Sequence, residues 1–159
     1  MKILYLDYNG VLHDDKVMRN RQRGMYITTP DRTFFEWMPI LESLLAPHPD
    51  LKIVLSTSWV RSLGFDKTKS ELSEDLQSRV IGSTFHHPKL LQSEFDTMSR
   101  GMQIWGDVER RKPANWLALD DDAFGWPAWC RDRLIETKGH AGLSDPDAQD
   151  ALRKMLASL

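Results

Sequence analysis

Asp7 ends an apolar run, Ile3, Leu4, Tyr5 and Leu6, and leads at once into a turn marked by Asn9 and Gly10. A short apolar run closed by a turn reads as a buried strand. In open α/β sheets ligands bind beyond the carboxyl ends of the strands, so Asp7 stands where a carboxylate can act. The pattern recurs twice. Residues 116–119 run into Asp120, Asp121 and Asp122, and Lys52 to Leu55 runs into Ser56, Thr57 and Ser58. Three strand ends therefore offer acid, hydroxyl and acid. Such residues also serve as plain turn and cap formers; their order behind matching apolar runs is what points to chemistry.

The elements that must position these groups follow from periodicity. Residues 2–7 read as a central strand and residues 13–33 as polar and irregular, with room for a flap. Asp31 precedes Phe34, Phe35, Trp37, Met38, Ile40, Leu41, Leu44 and Leu45, spacing that predicts an amphipathic helix capped early and bent or restarted at Pro39. Lys52 to Leu55 is the next strand, and a strand, helix, strand succession implies a right-handed crossover between parallel strands. Residues 59–80 read as helix interrupted at Gly64, and residues 81–98 carry no clear pattern. Helical spacing returns over residues 101–108, followed by the strand at 116–119, a short strand at 133–136 and a C-terminal helix over 147–156.

With 159 residues, 41% hydrophobic, and no linker or composition break, the chain reads as one domain over residues 1–159. Its formal net charge of -2 excludes a basic footprint over the whole surface, leaving local clusters at Arg19, Arg21 and Arg23 and at Arg110, Arg111 and Lys112. Such runs are ordinarily solvated surface. The single Cys130 forms no internal disulfide and reads as buried packing. The apolar stretch before Asp7 is too short for a signal peptide and no run is long enough to span a membrane, so a cytoplasmic location without membrane partners is expected. His86 and His87 lack the further ligands of a transition-metal site. Trp59, Trp126 and Trp129 read as core residues, with stacking on a base as the alternative.

Asp7 in Leu6-Asp7-Tyr8-Asn9-Gly10-Val11-Leu12, Leu55-Ser56-Thr57-Ser58-Trp59, Leu119-Asp120-Asp121-Asp122 and Gly142-Leu143 together resemble the haloacid dehalogenase (HAD) superfamily, and within it the small HAD domains of RNA repair proteins. The resemblance covers almost the whole chain. It implies an α/β, Rossmann-like three-layer fold with a central, mainly parallel sheet. Neither gap in which the superfamily inserts a cap has room for one, so no large cap domain is expected.

The resemblance also implies an activity: a Mg²⁺-dependent phosphohydrolase in which Asp7 attacks phosphorus and forms an aspartyl-phosphate. Mg²⁺ prefers hard oxygen ligands, which Asp7, Asp120 or Asp121, and the backbone carbonyl of Asn9 would supply. Ser56, or Thr57 beside it, would hydrogen-bond the phosphoryl group. Arg100, at the start of the helix before the last acidic strand, would offset its charge, with Lys112 as the other choice. The expected substrate is phosphorylated, a nucleic-acid end or a nucleotide, and an open site favours a large one. One departure stands out. The superfamily's second acid is Asn9 here, and an amide carries no exchangeable catalytic proton, so turnover should fall by roughly 10²- to 10⁴-fold. A phosphate- or partner-binding module that keeps the metal site is the alternative, and a metal-independent dehalogenase would leave Asp120 to Asp122 without a use.

Overall fold

The computed structural model describes residues 1–86 and 91–159. Its centre is a parallel sheet of β1 (Lys2–Leu6), β4 (Lys52–Leu55), β5 (Val80–Ser83), β6 (Asn115–Asp120) and β7 (Leu134–Glu136), in the spatial order β5-β4-β1-β6-β7. Alternation along the strands sorts the side chains into two layers. Leu4, Leu6, Ile53, Leu55, Leu117 and Leu119 face one hydrophobic cluster, while Ile3, Tyr5, Val54, Trp116 and Ala118 face the other. With both faces covered, the strands are apolar throughout, which is why they read as unbroken hydrophobic runs.

Helices α1 (Met38–Leu45) and α7 (Pro146–Ala157) bury Leu41, Leu44, Leu45, Leu152 and Leu156 in the first layer. Helix α6 (Arg100–Arg111) buries Ile104 in the second. Short helices α2 (Trp59–Leu63), α3 (Phe65–Ser70) and α4 (Glu74–Arg79) fill the crossover from β4 to β5, with Gly64 at φ 87 turning the chain between the first two. Residues 81–98 contain the end of β5 and α5 (Gln92–Thr97). Of the histidine pair, His87 lies outside the described residues. No helix among the described residues is long and apolar enough to cross a membrane.

Two expectations change. The stretch 13–33 is not irregular throughout: β2 (Val17–Asn20) and β3 (Gly24–Ile27) form an antiparallel ribbon after β1. Its tip is closed by the Asn20 carboxamide, which accepts from Gln22 N at 3.0 Å and Arg23 N at 2.7 Å, and by Gly24 at φ 66. The helix expected from Asp31 starts only at Met38, with Pro39 in its first turn, where a proline's missing N–H costs nothing. Asp31 (φ 65) and Phe35 (φ 57) are left-handed, breaking any earlier helix and directing Phe34 and Phe35 toward His13 and Trp59.

Topology places the ligand-binding crevice. The chain moves from β1 outward through β4 and β5, then returns across to β6 and β7, so the direction of winding reverses between β1 and β6. The ladder runs past the strand ends there: Asp7 N donates to Leu119 O at 3.1 Å, Ser56 N to Leu6 O at 2.8 Å and Thr137 N to Asp120 O at 3.0 Å. Asp7, Ser56 and Asp120 are thereby fixed at one level of one sheet edge.

Below that edge, α6 is anchored to β1 by a buried polar cluster. The Tyr5 hydroxyl donates to Asp107 Oδ2 at 2.8 Å, and Arg111 Nε donates to the same oxygen at 2.8 Å, while Arg110 pairs with Oδ1. Burial, then Asp107, raises the Tyr5 pKa, so its hydroxyl remains a donor. Replacing one member of a buried network strands the others. Asp107→Ala is therefore expected to destabilise the protein by about 3 kcal/mol, measured by urea unfolding, whereas Tyr5→Phe should cost roughly 1 kcal/mol.

Candidate active site

At the carboxyl edge, ligand oxygens of Asp7, Asp120 and Asp121 lie within 4.8 Å of one another. Asp7 and Asp120 are buried and Asp121 is half-buried. Arg100 stands between the first two, its Nη1 3.3 Å from Asp7 Oδ1 and 3.2 Å from Asp120 Oδ2, and it also donates to the Ser56 carbonyl. Burial works against the guanidinium charge, but Asp7 and Asp120 outweigh it and hold the group cationic. Arg100 reaches this point because Ser99 starts α6: its Oγ accepts from Met102 N at 3.2 Å and donates to Gly125 O at 2.9 Å.

The carboxylates crowd for want of counter-charge. Burial first, then Asp7, pushes Asp120 well above the usual carboxylate range, and burial, Asp7 and Asp15 push Asp121 up to about 7. Three carboxyl groups gathered around one guanidinium leave more acid than counter-charge, a shortfall that a divalent cation can make up. The donors are all hard oxygens, so the set fits Mg²⁺ rather than a thiophilic metal. Asp122 is the member of the triplet that stays outside, exposed, its Oδ1 accepting from Phe124 N at 3.0 Å in a local turn.

Asp121 can approach only because position 10 is glycine. Gly10 has φ 78, and a Cβ there would come 2.2 Å from Asp121 Oδ2. Thr137, beyond β7, pins the same turn by donating from Oγ1 to Gly10 O at 2.6 Å. Asp7 is oriented by Tyr8 N, which donates to its Oδ1 at 2.8 Å.

Of the two candidate hydroxyls, Thr57 Oγ1 is engaged locally, accepting from Trp59 N at 3.3 Å. Ser56 Oγ is buried with no hydrogen-bond partner among the described residues. A buried polar atom left unpaired costs about 1–3 kcal/mol, which a ligand can recover. Lys112 lies at the other end of the molecule's strand layer: exposed, with φ 51, it ends α6 before β6 begins. Trp126 is core, packed on Gly101 and donating from Nε1 to Cys130 O at 3.2 Å, while Trp129 is exposed.

Asn9 is held by Trp59, which the sequence marks as a core residue, and by His13, which it does not single out. Trp59 Nε1 donates to Asn9 Oδ1 at 2.9 Å; an indole N–H only donates, so the contacting atom is the amide oxygen. His13 Nδ1 accepts from Phe35 N at 3.2 Å, so its Nε2 bears the proton and donates to the same oxygen at 2.8 Å. His13 is fully buried among Phe34, Phe35 and Trp59. Its one sequence signal is the interval of four residues from Asn9, too common to distinguish it.

Burial pushes the His13 pKa down to about 4, with Asp14 opposing. A neutral form favoured by folding adds stability above the unfolded pKa of about 6.5, and that stability is lost as the pH falls from there toward 4. The loss attributable to His13 at pH 5 is expected to be roughly 2 kcal/mol. It should appear as a narrowing of the gap between the unmodified chain and His13→Gln when urea unfolding is compared at pH 7.5 and pH 5; an unchanged gap would place the imidazole in water.

A family model described as the HAD domain in Swiss Army Knife RNA repair proteins matches residues 3–148. No curated protein and no solved structure matches the chain. The match takes in β1 through the start of α7, including every site residue described above, and its parallel sheet and uncapped carboxyl edge are those of a HAD-like domain. The chain belongs to the HAD domain family of the Swiss Army Knife RNA repair proteins.

Proposed function

We propose that the chain is a Mg²⁺-dependent phosphohydrolase that works through an aspartyl-phosphate on Asp7, acting on a phosphorylated nucleic-acid end or nucleotide. The observation that carries this reading is the meeting of Asp7, Asp120 and Asp121 with too little counter-charge, beside Arg100 and the unpartnered Ser56 hydroxyl. A Mg²⁺ held by Asp7, Asp120, Asp121 and the Asn9 carbonyl would supply the remaining charge neutralisation for a phosphoryl group.

The chain's own residues do the rest. The Tyr8 N–H and Arg100 fix the Asp7 carboxylate for in-line attack on phosphorus. Ser56 Oγ gives its free hydrogen to a phosphoryl oxygen, and Arg100, already charged and buried, needs no reorganisation to stabilise the charge that accumulates there. Asn9 offers an N–H to the leaving oxygen but no proton. Nucleic acid as the carrier of the phosphate is supported by Phe124, 86% exposed two residues beyond Asp122, and by Arg19, Arg21 and Arg23 on the ribbon.

Asn9 also favours a second reading, a phosphate-binding module with the metal site retained and turnover lost. Hydrolysis of an aryl phosphate with and without Mg²⁺ separates the two. Turnover should require Mg²⁺, vanish in Asp7→Asn with the fold intact, and fall roughly 10²- to 10³-fold in Ser56→Ala. Activity that survives Asp7→Asn removes the nucleophile assignment; Mg²⁺ binding without turnover of any phosphate compound supports the binding module. For the carrier, Phe124→Ala is expected to raise KM for a phosphorylated oligonucleotide several-fold, by the loss of about 1 kcal/mol or more of stacking, while kcat/KM for the aryl phosphate changes little.

A further inference from the structure

The locked amide at position 9 bears on which phosphates the site can release. Both donors on Asn9 Oδ1 come from buried side chains, Trp59 and His13, so the oxygen is turned into the aromatic cluster. An amide is planar and its nitrogen lies on the other branch. The Nδ2 hydrogens therefore point away from that cluster, and they make no hydrogen bond among the described residues. His13, the imidazole in contact with this position, has its single proton committed to Asn9 and no exposed surface from which to deliver it. Position 9 thus presents a fixed N–H donor and nothing that can be given up as a proton.

We propose that this site removes the terminal phosphate of phosphoanhydrides in preference to hydrolysing phosphate esters of alcohols; the proposal rests on the phosphatase reading of Asp7. In the first step an Asp7 oxygen bonds to the terminal phosphorus as the bond from phosphorus to the bridging oxygen breaks, and its electron pair leaves on that oxygen. From an alcohol ester the oxygen departs as an alkoxide, which must be protonated as it leaves. From an anhydride it departs as a phosphate oxygen, whose acid ionises at about pH 6, so it is stable as the anion and an N–H hydrogen bond is sufficient help. In the second step water attacks the aspartyl-phosphate and the bond from phosphorus to Asp7 breaks, returning its electron pair to the carboxylate. One water proton stays on the new phosphate oxygen and the other passes to solvent. The uncapped edge gives a polyphosphate chain room to enter by its end.

The test compares phosphate release, in Mg²⁺, from ATP, from a 5′-triphosphorylated oligoribonucleotide and from the same oligoribonucleotide carrying a 5′-monophosphate, with a series of aryl phosphates of graded phenol acidity. The native chain should favour anhydride over ester by at least about 10² in kcat/KM, the lower end of what a general acid supplies. Its aryl phosphate rates should depend steeply on phenol acidity. ATP against the triphosphorylated oligonucleotide distinguishes a free nucleotide from a nucleic-acid end. Asn9→Asp retains an acceptor for both Trp59 and His13, so it should fold, and it should compress the anhydride-to-ester ratio at least about tenfold and flatten the aryl series. Equal native rates on anhydride and ester, or a variant that changes both alike, would overturn the preference while leaving the phosphatase reading in place. Turnover of no probe by either chain would remove both.

Discussion

Everything at the carboxyl edge is arranged around the repulsion between Asp7, Asp120 and Asp121. Two ionised carboxylates whose oxygens lie within 4.8 Å repel by at least about 3 kcal/mol at an effective dielectric near 20. The fold offsets this with one buried guanidinium, and several distant features exist to deliver it. Ser99 must start α6 and tie it to Gly125; Gly101 must lack a side chain, since a Cβ would meet Pro127 Cδ at 2.6 Å and the Trp126 ring at 2.7 Å; and the Asp107 cluster must hold the far end of the helix to β1. Arg100 then spans Asp7, Asp120 and the Ser56 carbonyl, joining the ends of the three central strands.

The sheet explains why these groups can be crowded without collapse. Backbone ladders between β4, β1, β6 and β7 continue one residue past the strands, so each functional side chain hangs from a backbone already paired on its neighbour. Left-handed backbone lies in the connections; at Gly10 and Gly64 glycine adopts it at little cost. The ribbon of β2 and β3 leaves immediately after this rigid edge, so the basic residues at its tip are carried by the same segment that bears Asp7 and Asn9.

What the sequence made legible follows from the same physics. Strands buried on both faces are apolar without interruption, so β1, β4 and β6 stand out, and the polar residues that end them are then conspicuous: Asp7, Ser56 and Asp120 needed only to be noticed at equivalent places. Arg100 was distinguishable from Lys112 by its place at the start of a helix, where the chain returns toward the carboxyl edge. The ribbon was hidden because its strands are four residues each, neither of them fully buried, with no apolar alternation to read. The aromatic run at Phe34 and Phe35 has helical spacing yet is not helix, because two left-handed residues, Asp31 and Phe35, override the periodicity. His13 and its bond to Asn9 depend on that unexpected backbone, and no spacing rule anticipates them.

Asn9 is best understood through the charge balance it leaves. An acid there would accept from the same two N–H donors but would add a fourth carboxyl group to a cluster whose carboxyls already outnumber its guanidinium. With an amide, the same two donors are satisfied and no charge is added. On the proposed function the loss would fall on proton donation alone, because a backbone carbonyl at this position would ligate a metal whatever the side chain. Under the proposed phosphatase reading, such a site would keep the electrostatic groups that bind and attack phosphorus and would leave to the substrate the burden of being a good leaving group.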